Sequence, residues 1–121
     1  MVELLEIGID NAVAIRISSK VTESDMELVL NKAREKINTY GNIVIFEQLD
    51  SFKGIEIAAI VEEFKYLFDA GTSNISKTAL LTDRKWLKTI IGIEDKVFKN
   101  IEMKCFPIEE KESAIEFLKN A

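Results

Sequence analysis

Three carboxylates at the ends of predicted strands are the side chains of this chain best suited to do chemistry. Glu47 and Asp50 follow one buried apolar run, and Asp83 follows the next. Open α/β sheets bind ligands at the carboxyl ends of their parallel strands, and Mg²⁺ prefers carboxylate oxygens. Turns and helix caps use the same residue types. With no further ligand pattern beside them, we expect neither a metal site nor a catalytic set.

Histidine and cysteine add little to this chemistry. The chain contains no histidine, which removes the commonest general base and metal ligand. Its one cysteine, Cys105, lies in a predicted strand beside Ile101 and Met103, where a thiol behaves as a small hydrophobic group. Glycine-rich phosphate loops and the GxSxG and CxxC motifs are missing from the sequence. The sequence therefore predicts a protein that is not an enzyme and needs no cofactor.

The segment 84–98 predicts a helix with more apolar surface than one core requires. A helix that covers a single core needs an apolar stripe only about 100° wide. This segment carries two neighbouring stripes, so part of it should face a pocket, a membrane, a neighbouring helix or a second subunit. The first stripe comprises Trp86, Ile90, Ile93 and Val97, and the second comprises Leu87, Ile91 and Phe98.

The same segment is basic within an acidic chain. Residues 83–104 hold six cations and four anions, whereas the whole chain has a net charge of −5. Arg84, Lys85 and Lys88 would suit the anionic head groups of a membrane or a lipid-like ligand. The acidity of the rest argues against nucleic-acid binding, which needs clustered lysine and arginine.

The predicted elements follow the order ββαβαβαβα. Alternating residues predict strands over 3–9 and 12–18, joined by a turn at Asp10 and Asn11. A helix follows, with a capping box at Thr22 and Asp25 and a stop at Gly41. Later runs predict strands over 43–46, 78–81 and 101–106 and helices over 54–69, 84–98 and 109–119. We expect an α/β domain with a mixed, mainly parallel sheet, an antiparallel edge strand and about four helices.

Length and composition predict one ordinary globular domain over residues 1–121. The chain is 47% hydrophobic and 31% charged, with one proline and five glycines, which leaves no room for a linker. No apolar run approaches the roughly 20 residues that a membrane-spanning helix needs. The N-terminal residues lack the pattern of a signal peptide. We expect a cytoplasmic protein of bacterial type that is at most peripheral at the membrane.

Three short segments carry a resemblance to a known family. They are Val13-Ala14-Ile15-Arg16 leading to Lys20-Val21-Thr22, the turn from Leu49 to Gly54, and residues 79–86 together with Cys105-Phe106-Pro107. On these segments and on its order of elements, the chain resembles the SpoIIAA-like group of STAS-type domains. These domains are relatives of the anti-sigma-factor antagonists and are similar in fold to CRAL-TRIO lipid carriers.

The resemblance implies two functions. STAS antagonists are switched by phosphorylation of a serine in an Asp-Ser-Ser-Gly sequence, and the matching place here begins with Asp50-Ser51 and continues with Phe52. This implies a protein-interaction module in signalling with Ser51 as the regulatory position, although Ser51 also suits a helix cap. The likeness to CRAL-TRIO domains implies instead an apolar pocket beneath helices that meet a membrane.

The main functional prediction is a non-enzymatic binding module for an apolar or lipid-like ligand. Helices 54–69 and 84–98 would form an openable cleft, with Arg84, Lys85 and Lys88 on the polar end of the ligand. A signalling module switched at Ser51, and a homodimer that buries the surplus apolar surface, are the alternatives. The predicted ligand-binding residues are Ile55, Ala59, Tyr66, Phe68, Trp86, Leu87, Ile90, Ile91 and Phe98.

Overall fold

Five strands form one mixed sheet in the part of the chain that the structure describes. The computed structural model describes residues 2–18, 22–50, 74–83 and 102–120. The strands are β1 (Val2–Leu5), β2 (Ala12–Ile17), β3 (Ile43–Leu49), β4 (Ile75–Thr82) and β5 (Glu102–Pro107), and they lie side by side in chain order. β1 pairs with β2 antiparallel, and the other neighbouring strands are parallel. The predicted mixed sheet with an antiparallel edge strand is confirmed.

Two helices cover opposite faces of this sheet. Helix α1 (Glu23–Tyr40) packs Val29 and Ala33 onto the face that carries Val13, Ile15 and Ile17. A 3₁₀ turn (Ile108–Glu110) leads into helix α2 (Lys111–Lys119), which packs Ala114 and Leu118 onto the other face. The predicted helices 54–69 and 84–98 lie outside the described residues. The full order and the count of about four helices therefore stay predictions.

Both faces of the central strands are buried, which explains their continuous apolar runs. In β3, Ile43, Ile45 and Leu49 belong to the α1 face, whereas Val44 and Phe46 belong to the α2 face. β4 follows the same alternation, with Leu80 on the α1 face and Ala79 and Leu81 on the α2 face. A parallel strand covered by helices on both faces has a continuously apolar sequence, because the side chains on each of its faces enter a core.

The first hairpin differs from the prediction. The strand predicted over 3–9 ends at Leu5, and a loop with Gly8 at φ +81° joins it to β2. A turn does form at Asp10 and Asn11, where the Ala12 N–H donates to the Ile9 carbonyl at 3.2 Å. Ile7 and Ile9 lie beyond the end of β1 but still pack against the core on the α2 face, which explains why the apolar alternation continues past Leu5.

The predicted limits of α1 are confirmed. The Thr22 side chain accepts from the Asp25 N–H at 3.2 Å, and the Asp25 carboxylate accepts from the Thr22 N–H at 2.9 Å. Gly41 ends the helix at φ +86°, a left-handed conformation that side chains with a Cβ disfavour. The remaining boundaries shift by a few residues: β3 and β4 are longer than predicted, and α2 begins at Lys111 after the 3₁₀ turn.

We expect Thr22→Ala to lower the free energy of unfolding by about 1 kcal/mol, because it leaves first-turn N–H groups of α1 without their acceptor. Urea denaturation followed by circular dichroism measures the change. Ser24→Ala is the matched control, since Ser24 is exposed in the same turn and takes no part in the capping box. Equal losses in the two variants would contradict the role of the box.

Candidate functional site

Polar side chains gather where the parallel strands β2 and β3 end. The Arg16 guanidinium forms a short ion pair with the Asp50 carboxylate, which also accepts from the Gln48 side chain at 3.2 Å. The Asp50 N–H donates to the Ile17 carbonyl at 2.9 Å, so the chain after β3 stays attached to β2. The hydrogen bond to Asp50, and then its charge, raise the pKa of Arg16 above its ordinary value. We call Arg16, Gln48 and Asp50 the Asp50 cluster.

The Asp50 cluster lies away from the α1 core. Arg16 lies between Ile15 and Ile17 in β2, which both pack under α1, so alternation directs Arg16 to the opposite face. Its side chain is 44% exposed, whereas that of Asp50 is 16% exposed. Glu3 pairs with Arg16 across β1 and β2, and its charge also raises the pKa of Arg16. The cluster therefore presents mainly the Arg16 side chain to solvent at the carboxyl ends of the strands.

Two buried polar side chains lie at the same end of the sheet on the α1 face. Glu47 and Thr82 are 2% and 1% exposed, and Glu47 pairs with Leu80 across β3 and β4. Within the described parts of the chain, neither Glu47 Oε1 nor Thr82 Oγ1 has a hydrogen-bond partner. An unsatisfied buried polar group costs free energy, so native proteins keep few of them.

Burial sets the protonation of Glu47. Removal of the carboxyl from water disfavours its charged form and raises the pKa of Glu47 from its ordinary value of 4.5 to about 7. A neutral carboxyl can donate a hydrogen bond as well as accept one. Glu47 can therefore take up or release a proton near neutral pH, although its side chain is shielded from solvent.

The three carboxylates that were each predicted to follow a strand have different surroundings in the structure. The prediction that Glu47 follows β3 is wrong, because the strand continues to Leu49 and buries Glu47 within the sheet. Asp50 does follow β3 and joins the Asp50 cluster, while Asp83 follows β4 and is exposed. Within residues 2–18, 22–50, 74–83 and 102–120, no group of three or more acidic, histidine or cysteine side chains is arranged to hold a metal ion.

Every residue of the predicted ligand cleft lies outside the described residues. This holds for the apolar set Ile55, Ala59, Tyr66, Phe68, Trp86, Leu87, Ile90, Ile91 and Phe98. It also holds for the cations Arg84, Lys85 and Lys88 and for the regulatory candidate Ser51. Their roles stay predictions. Cys105, which was expected to be a buried hydrophobic group, is half-buried and packs with Met103 beside the α1 core.

The sequence contained a signal for Glu47 but only a weak one for the Asp50 cluster. Ile43, Ile45, Glu47 and Leu49 alternate on one side of a strand, so extension of the strand by three residues would have predicted a buried carboxyl. Arg16 and Asp50 are 34 residues apart in the chain, and only the parallel pairing of β2 with β3 brings them together.

Together, the sheet and its helices define an α/β domain with polar groups at the carboxyl ends of parallel strands. The family model described as SpoIIAA-like matches residues 12–119, which is most of the chain. The chain therefore belongs to the SpoIIAA-like family of STAS-type domains, as its short motifs suggested. No curated protein and no solved structure gives a significant match. In the part of the chain that the structure describes, no helix is long and apolar enough to cross a bilayer.

We expect Glu47→Gln to remove a loss of stability that the wild type suffers as pH rises. Glu47 holds its proton more tightly in the folded protein than in the unfolded chain. Its favourable contribution to the free energy of unfolding is therefore complete below pH 4.5 and is lost as pH rises through about 7. The difference corresponds to about 3 kcal/mol between the two ends of this window. Urea denaturation at several pH values across the window measures it.

Glu27→Gln is the matched control for this measurement, because Glu27 is exposed on α1. The control should keep the wild-type pH dependence, whereas Glu47→Gln should flatten it. Parallel curves for the wild type and Glu47→Gln would show that Glu47 is already ionised in the folded protein near pH 5.

Proposed function

We propose that the protein is a non-enzymatic protein-interaction module of the STAS type that acts in a signalling pathway. The observation that carries this proposal is the SpoIIAA-like match over residues 12–119. The five-stranded sheet with helices on both faces agrees with that family. Domains of this class act by binding other proteins. The properties that matter are therefore the surface that binds the partner and the modification that controls this binding.

The Asp50 cluster supports a regulatory role for the position that follows it. Asp50 is tied to Arg16 and Gln48 by its side chain and to Ile17 by its backbone N–H. Ser51 is the next residue in the chain. A phosphate on Ser51 would add about two negative charges at the position next in the chain to Asp50, which already pairs with the Arg16 cation. The phosphate would then compete with Asp50 for Arg16. Phosphorylation of Ser51 would thereby change the ion pair at the ends of β2 and β3.

The first experiment measures partner binding and its dependence on Ser51. Tagged wild type, Ser51→Ala and Ser51→Asp are produced at native level in the source cells, crosslinked and purified, and co-purified proteins are quantified by mass spectrometry. We expect one defined set of proteins with the wild type and Ser51→Ala. That set should fall on the order of tenfold with Ser51→Asp, because the new charge follows Asp50 directly in the chain and would repel its carboxylate.

Ser24→Asp provides the matched control, since it adds the same charge at an exposed position in the first turn of α1. It should keep the wild-type partners. If no protein is enriched over an unrelated tagged domain, the interaction module itself is contradicted. If partners are enriched but Ser51→Asp keeps them, only the switch is contradicted. The intact mass of wild-type protein from the same cells reports whether it carries phosphate.

The apolar-ligand hypothesis is the competing proposal, and its support is the amino-acid pattern of the helices predicted over 54–69 and 84–98. If it holds, Trp86→Ala and the double reversal Lys85→Glu/Lys88→Glu each weaken binding to liposomes that contain anionic lipid. Co-sedimentation with such liposomes measures this, with Lys32→Glu on α1 as a charge control. Equal binding of all variants would contradict the membrane hypothesis and would not affect the proposal of a protein-interaction module.

A further inference from the structure

A surface depression lies between α2 and strands β4 and β5, far in the chain from the Asp50 cluster. It has a volume of about 490 Å³. Two aromatic rings form its apolar part: the ring centres of Phe106 on β5 and Phe117 on α2 are 6.0 Å apart, and the ring planes are tilted by 53°. Both strand and helix residues therefore line it. We call it the Phe117 depression; its charged lining residues are Lys77, Lys104, Glu112 and Glu116.

The two lysines of the Phe117 depression differ in what they contact. Lys77 Nζ donates to the carbonyls of Phe117, at 3.0 Å, and of Asn120, so it caps the carboxyl end of α2. Lys104 is exposed, and its Nζ lies 5.4 Å from the centre of the Phe106 ring and 6.0 Å from that of Phe117. Lys104 is therefore the cation that the depression presents to a partner.

Acidic side chains line the opposite wall. Glu112 and Glu116 are exposed on α2, one helical turn apart, and both line the depression with Phe117. Across the described residues, no ion pair joins Lys104 to either glutamate. The depression thus holds a positive wall on β5 and a negative wall on α2, with aromatic rings between them.

Strand β5 adds an edge to this surface. Within the described sheet, β5 pairs with β4 alone, at the end of the strand order. An edge strand presents backbone N–H and C=O groups that can pair with another chain. Any partner that enters the Phe117 depression from this side can reach both the charged walls and the strand edge.

We infer that the Phe117 depression binds a second copy of this chain across a two-fold axis. A two-fold interface brings the same patch of both subunits together, so the patch must complement itself. Here rotation places Lys104 of each copy against Glu112 and Glu116 of the other, with the phenylalanine rings in the centre. A partner of one charge would be repelled by one of the two walls, whereas a second copy satisfies both. This inference goes beyond the proposed function and does not depend on it.

The test uses charge reversal on each wall separately. Sedimentation velocity of the full chain, from micromolar to near-millimolar concentration, should show a dimer for the wild type. Lys104→Glu alone and Glu112→Lys/Glu116→Lys alone each place like charges at both contacts of the dimer. Each should therefore weaken the dimer at least about tenfold.

A mixture of the two reversed variants gives the sharpest result. In the mixed pair, the new carboxylate at position 104 faces the new lysines of the other copy. At the second contact, the original Glu112 and Glu116 face an original Lys104. Both contacts are again between opposite charges, so the mixture should form a heterodimer although neither variant dimerises alone.

Two controls keep this test independent of folding. Glu27→Lys reverses a charge on α1, away from the depression, and should keep the wild-type dimer. The three altered positions of the depression are exposed, so circular dichroism should show native folding for every variant. A monomeric wild type at all concentrations would overturn the inference. So would a dimer that both reversals leave unchanged, or reversed variants that stay monomeric when mixed.

Discussion

The parallel pairing of β2, β3 and β4 is the constraint on which the rest of this structure depends. β3 lies at the centre, and its side chains from Ile43 to Glu47 are buried on both faces. A strand in that position can satisfy its backbone polar groups only through its neighbours, because water reaches neither face. The pairing therefore fixes the register of β2 and β4 and with it the face onto which each helix packs.

The same pairing produces the polar chemistry at the carboxyl end of the sheet. It brings Arg16 of β2 beside Gln48 of β3 and Asp50, which follows β3, on the side away from α1, where the Arg16 side chain is 44% exposed. On the α1 side it encloses Glu47 and Thr82, and among the described residues neither Glu47 Oε1 nor Thr82 Oγ1 gains a hydrogen bond in place of water. One end of the sheet thus carries a partly exposed ion pair and a buried carboxyl whose pKa is raised by the loss of water.

The Asp50 cluster and the Phe117 depression would serve different partners. The Asp50 cluster lies at the ends of β2 and β3, next in the chain to Ser51, and suits a binding event that responds to charge. The Phe117 depression lies beside α2 and β5 and carries walls of opposite sign around two rings. A domain with both could hold a second copy on one side and a signalling partner at the strand end, since the two sites share no residue.

Local order was determined by the sequence, because capping boxes, glycine stops and apolar alternation act within a few residues. Thr22, Asp25 and Gly41 defined α1, and the run at 43–46 identified the central strand. Short motifs also predicted the SpoIIAA-like family, which the family match over residues 12–119 confirms. Tertiary structure alone decided that β1 ends at Leu5, that burial raises the pKa of Glu47, and that Arg16 meets Asp50. These outcomes depend on pairing between residues distant in the chain and on the free energy of removing each group from water, which a local pattern does not contain.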